Sequence, residues 1–178
     1  MFCLQTAEKI MQHNSSCLGL QMVCDPLLKE KSFGVAEGGR VQDLRAMAEA
    51  AGQSFPGFTP PGGETQEQVR LSLNITFYLS FSCFFSFSSF LGGADDGVRG
   101  TPVHALVVTH GAYMCVAARY IVEELRCRLP PGVDEVRMFS LSPNAGLCRF
   151  TLDIIKQGNR FVLSGIRCVF VHRAQHVQ

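Results

Sequence analysis

The chain has 178 residues, 47% hydrophobic and 17% charged, a length and composition that exclude a disordered chain and suit one domain with one core. Sixteen Lys and Arg against fifteen Asp and Glu leave a formal net charge of +1, which argues against nucleic acid as the partner. The eight cysteines, at 3, 17, 24, 83, 115, 127, 148 and 168, include no C-x-x-C pair, so neither a zinc site nor a compact disulfide framework is expected. MFCLQTAEKI lacks the basic, apolar and small-residue order of a signal peptide, and scattered thiols suit a reducing, cytoplasmic setting.

Taken in chain order, LQTAEKIMQH places Leu4, Ala7, Ile10 and Met11 on one helical face. GLQMVCD reads as a short strand ending at Asp25, and PLLKEKSFGVAEGG as a loop punctuated by Pro26, Gly34, Gly38 and Gly39. RVQDLRAMAEAAG is a helix with an apolar stripe of Val41, Leu44, Met47 and Ala48, stopped by Gly52. FPGFTPPGGET is a rigid loop whose Thr65 caps a helix beginning QEQVR.

From Leu71 to Ala94 the chain carries no charge, and six Phe and six Ser fall within the 20 residues 72–91. Three readings stand side by side. A membrane span has the right length, since about 20 mostly apolar residues cross a bilayer, but the serines and the lack of a basic flank beyond Arg70 oppose it. A buried helix or strand pair is the second. The third is an insert foreign to the fold: codons made only of pyrimidines encode Phe, Ser, Leu and Pro, so a translated pyrimidine tract before a splice acceptor would read this way.

Beyond Gly97, VHALVVT reads as a buried strand and AYMCVAARYIVEELRCRL as a helix with Met114, Ala117, Ala118, Ile121 and Leu125 facing inward. VRMFSLS, LCRFTLDII and NRFVLSGIRCVFV read as further strands, the last of them one or two. Strands alternating with helices imply α/β layers.

Three places could carry chemistry. His110-Gly111 lies where a strand gives way to a helix, so the helix amides can hold an anion while the imidazole adds a donor or a charge; a hydrogen-bonded core histidine is the alternative. Glu30 sits between Lys29 and Lys31 in a glycine-bounded loop, either as a general acid or as a solvated charge. TPPGGET offers glycines for close backbone approach and Glu64 at a helix start, where a plain cap is the alternative.

KEKSFGVAEG, LRAMAEAA, FTPPGGETQEQV, VVTHGAYM and SLSPNAGLCRF occur in the order and surroundings of the histidine phosphatase superfamily, which the chain resembles over about residues 4–70 and 103–155. The resemblance implies a three-layer αβα fold, a mostly parallel sheet with helices on both faces, and phosphomonoester hydrolysis through a phosphohistidine without metal or cofactor. Within it, FTPPGGET points to the branch acting on a sugar bisphosphate such as fructose 2,6-bisphosphate. By motif position Glu30 matches the family's acid/base glutamate and His110 its second histidine. Gly111 and Asn144 match substrate-contacting positions. The family's nucleophile lies in an Arg-His-Gly motif, whereas the five histidines here follow Gln12, Val103, Thr109, Val171 and Gln175.

The expectation is therefore a single partial domain over 1–178, with 71–94 an atypical insert and with the first strand, nucleophile and one phosphate-binding arginine missing. Such a chain should be inactive, and the alternative function is a truncated, non-catalytic isoform that binds ligands or partners. A phosphorylated small molecule is the expected ligand and a membrane is not an expected partner. The family resemblance allows nuclear or mitochondrial association besides the cytoplasm.

Overall fold

A computed structural model of the chain describes residues 2–17, 19–55, 57–74, 104–158 and 160–174. The first helix, α1, runs Phe2–His13 and leaves Leu4 exposed, with Ala7, Ile10 and Met11 only partly covered. Helix α2, Val41–Ala50, buries Ala48 completely, half-buries Leu44 and Met47, and leaves Val41 exposed. It stops as expected: Gly52 takes a positive φ of 66° and its amide donates to the Glu49 carbonyl, a closure that favours a residue without Cβ.

Helix α3 begins at residue 66 and is described to 74. Thr65 caps it, because its hydroxyl accepts from the Gln68 amide at 3.2 Å while the Gln68 side chain accepts from the Thr65 amide at 2.8 Å. This reciprocal pair satisfies two amides that a helix start otherwise leaves open. Residues 71–74 simply continue α3. The remainder of the Phe/Ser-rich run, and with it the choice among its three readings, lies outside the described residues.

Helix α4 spans Gly111–Arg119 and passes directly into a π turn at Tyr120–Glu124, where the Leu125 amide reaches back five residues to the Tyr120 carbonyl. Arg70 of α3 ties onto this turn through Glu124 at 2.9 Å. The inward face is wider than the expected stripe. Ala118 and Ile121 are buried and Met114, Ala117 and Leu125 half-buried, but Tyr113, Cys115, Val116 and Tyr120 are buried as well. Two neighbours account for this: Val116, Tyr120 and Ile121 face the main core, while the Cys115 thiol donates to the Phe139 carbonyl at 2.9 Å.

Three expected strands are not strands among the described residues. VRMFSLS instead opens with a helical turn, α5, Glu135–Met138, because the Asp134 carboxylate accepts from the Arg137 amide at 3.0 Å and caps it. Residues 20–25 and 104–109 take no regular secondary structure and join no ladder, and Leu106 and Val107 are 60% and 54% exposed. The fold among the described residues is thus mixed α and β, and its sheet is antiparallel. Strand β1, Leu147–Gln157, pairs with one continuous β2, Arg160–Arg173, and the sole parallel pairing there is an isolated bridge from Arg128 to Arg167.

The core forms where α3, α4 and α5 meet one face of this ribbon. Val69 and Leu73, Tyr113, Val116, Tyr120 and Ile121, Cys127, Met138, and Ile166 with Cys168 make a single cluster, against which the partly buried Leu28 and Phe150 pack. Leu28 is the link that matters for chemistry, since the residues after it lie against the start of α4. Among the described residues, no helix is long and apolar enough to cross a membrane.

Candidate active site

The loop carrying Glu30 is built by local bonds before it meets anything else. Asp25 accepts from the Leu27 amide at 2.8 Å and starts a short 3₁₀ turn, Pro26–Leu28. The Leu28 carbonyl then accepts from the Thr109 hydroxyl at 2.8 Å, which fixes the loop beside the segment leading into α4. One residue further on, His110 is the N-cap of α4 in extended backbone, with its side chain unused for capping.

Glu30 supplies the anion that the helix start wants. Its Oε1 accepts from the Tyr113 amide in the first turn of α4 at 3.2 Å and from the Lys31 amide at 2.9 Å. Its Oε2 lies 3.7 Å from His110 Nδ1, within ion-pair range and beyond a hydrogen bond. Both side chains keep access to solvent, 33% for Glu30 and 25% for His110. A carboxylate and an imidazole therefore share the positive end of a helix dipole, the place where a phosphoryl group or another anion is held most cheaply.

The two lysines flanking Glu30 are turned away from it. Lys29 pairs with Glu64 at 2.8 Å across to the Pro/Gly loop. Lys31 is 3% exposed and donates to the Phe58 carbonyl at 3.2 Å; burial pushes its ammonium pKa down, opposed by the nearby Cys115, Glu30 and Glu64. Glu64 Oε2 also accepts from the Ser32 amide at 2.8 Å, and the Lys29 ammonium, followed by that amide, holds the Glu64 carboxyl below its ordinary range. TPPGGET is therefore a brace for the Glu30 loop. Gly34 makes the brace possible: its φ is +52°, and a Cβ there would sit 2.2 Å from the Pro61 carbonyl oxygen and 2.4 Å from the Gly63 nitrogen.

Gly111 packs on the segment before the Ser-Pro-Asn-Ala-Gly turn, where a Cβ would lie 3.4 Å from both Leu141 Cδ1 and the Ser142 carbonyl oxygen. Asn144 is exposed on that turn, which the Gly146 amide closes onto the Pro143 carbonyl at 2.9 Å. Glu30, His110 and Gly111 are thus brought together. Asn144 stands on the adjoining turn, with no hydrogen bond to Glu30 or His110 among the described residues. Sequence reasoning missed Lys31, whose burial nothing in its local pattern announces; the PPGG loop that accepts it was the available signal.

A carboxylate and an imidazole thus lie together at a helix start beside a glycine-rich loop, and known proteins similar to the chain show its family. The chain is 45% identical to "Probable fructose-2,6-bisphosphatase TIGAR A" of Danio rerio, over 97% of this chain and 74% of that protein. It is 40% identical to "Fructose-2,6-bisphosphatase TIGAR B" of Danio rerio over 98% and 74%, and 32% identical to "Fructose-2,6-bisphosphatase TIGAR" of Mus musculus over 97% and 74%. No family model matches the chain. By these relatives the chain belongs to a family of histidine phosphatases, that of the TIGAR fructose-2,6-bisphosphatases.

Proposed function

We propose that this chain carries the acid/base half of a fructose-2,6-bisphosphatase site. The substrate class is a sugar bisphosphate, hydrolysed in the family through a phosphohistidine. Glu30 protonates the leaving oxygen and then activates water, His110 steadies the phosphoryl oxygens as charge builds on them, and the Gly111 backbone and Asn144 contact the substrate. The observation that supports this most is the Glu30 carboxylate held by the Tyr113 amide, 3.7 Å from His110 Nδ1 at the start of α4.

These 178 residues contain no histidine preceded by arginine, so on their own they hold acid/base and anion-binding groups without the family's nucleophile. The reading for the chain by itself is therefore binding without turnover, in the cytoplasm, within a single domain of the three-layer, mostly parallel αβα type and with 71–94 as an insert in it. A non-catalytic, ligand-binding role is the second reading, favoured by the same missing motif.

Phosphate release from fructose 2,6-bisphosphate, together with calorimetric binding of that ligand, separates the two. Binding that His110→Ala weakens, without phosphate release, supports the proposal. Release that His110→Ala abolishes overturns the claim of inactivity, and absence of both binding and release overturns the site assignment.

A further inference from the structure

Lys31 is bonded at both of its ends. Its amide donates to Glu30 Oε1 at 2.9 Å, and its ammonium, on a residue only 3% exposed, donates to the Phe58 carbonyl at 3.2 Å. The near end therefore touches the candidate acid/base carboxylate, while the far end is moored to the segment that opens the Pro/Gly loop. That mooring is itself fixed. Phe58 is buried, its amide donates to the Ser54 carbonyl at 3.1 Å, and Pro60, two residues on, is fully buried.

A buried ammonium is an expensive way to join two loops. Withdrawing its charge from water is strongly unfavourable, whereas an apolar side chain of similar length, such as methionine, fills the same space without that loss. Burial accordingly pushes the Lys31 ammonium down from its ordinary range, and Cys115, followed by Glu30 and Glu64, opposes the shift. The charge thus sits where the Glu30 carboxylate feels it. Glu30 in turn is the group that the Tyr113 amide holds at 3.2 Å, with His110 Nδ1 at 3.7 Å. Being buried, Lys31 reaches the ligand only through Glu30.

We propose that Lys31 is a positioning residue for Glu30: its buried ammonium, moored on the Phe58 carbonyl, directs the neighbouring carboxylate onto the start of α4. The inference rests on the reading of Glu30 as the acid/base group. It adds to that reading a reason for a buried charge that the fold alone does not need.

A double-mutant cycle on the full chain tests this, read by the Tyr113 amide resonance without ligand and by calorimetric binding of fructose 2,6-bisphosphate. Glu30→Gln weakens the charge-assisted bond to the Tyr113 amide and moves its resonance. Lys31→Met is expected to move that resonance in the same direction, and to weaken binding about tenfold, the equivalent of one hydrogen bond. In the Glu30→Gln background, Lys31→Met is expected to do neither. A residue that merely holds the fold together would lower the Tm and leave the Tyr113 resonance of the folded chain in place, or move it equally in both backgrounds; either result overturns the proposal. A wild type that binds no bisphosphate, with the cycle on Tyr113 as expected, counts against the acid/base reading and leaves the positioning role standing. Lys31→Gln, which keeps a neutral donor, runs the same cycle should Lys31→Met not fold. If neither variant folds, Lys31 serves the fold as a whole and the proposal fails.

Discussion

Replacing Gly34 by alanine should loosen the Glu30 loop from its brace, and the structure supplies both the size of the effect and its control. Gly34 has a φ of +52°, and its new Cβ would meet Pro61 oxygen at 2.2 Å, Gly63 nitrogen at 2.4 Å and Gly62 carbonyl carbon at 2.5 Å. These are backbone atoms that cannot rotate aside, so the two loops must separate. Separation breaks the Val35 amide to Pro61 carbonyl bond at 3.1 Å, the Glu64 amide to Ser32 carbonyl bond at 2.9 Å and the Ser32 amide to Glu64 carboxylate bond at 2.8 Å.

At about 1 kcal/mol for each hydrogen bond and about 1 kcal/mol for a left-handed alanine, the expected loss is about 4 kcal/mol. For a chain of this size that is about 12 °C in Tm. Gly38 is the control, because its φ of +72° is equally left-handed while nothing lies within 4 Å of its would-be Cβ. Gly38→Ala should therefore cost only about 1 kcal/mol, or about 3 °C. Thermal and denaturant unfolding of both variants decide the matter. Equal losses would refute the argument that contact between the two loops, more than backbone conformation, makes Gly34 indispensable.

Three further outcomes are expected. Glu64 has a folded-state pKa below its ordinary value, set by Lys29 and then the Ser32 amide, so its stabilisation is complete above an unfolded pKa of about 4.3 and is lost as pH falls through the lowered folded value. The Tm gap between wild type and Glu64→Gln should accordingly stay constant near neutral pH and close in acid; a gap that widens in acid contradicts the sign. Thr65→Ala removes the α3 cap and should cost about 1 kcal/mol in denaturant unfolding, with an unchanged value counting against the capping role. Met138 is 0% exposed at the centre of the cluster, and Met138→Ala should cost about 3 kcal/mol by the same assay, whereas a loss under about 1 kcal/mol would mean that the cavity collapses freely.

The helices were largely legible from the amino acids because their signals are local. The apolar spacing of α2, the Gly52 stop, the Thr65 cap and the helix after His110 all act within a few residues of chain, and each stands where the spacing put it. LCRFTLDII and NRFVLSGIRCVFV were legible as strands for a related reason, since a short turn lets neighbouring segments pair without help from elsewhere. VRMFSLS misled because its own composition suits a strand, whereas the cap that turns its start into a helical turn, Asp134, stands just outside the segment. VHALVVT and GLQMVCD misled differently, for a strand exists only when another strand bonds to it, and composition alone cannot supply the partner.

The candidate site divides along the same line. Glu30, His110 and Gly111 could be singled out by residue type, turn chemistry and motif order, because each sits at a local break between elements. Nothing in one dimension, however, brings residue 30 to residue 113, or turns Lys29 onto Glu64 and Lys31 onto Phe58. Those choices follow from burial of Leu28 against the core and from the close approach that Gly34 permits. Residue types and their spacing thus determined which groups are present and which local turns hold them. Tertiary structure alone decided which carboxylate meets the histidine at the helix start and which one braces the loop, because those pairings depend on packing between segments far apart in the chain.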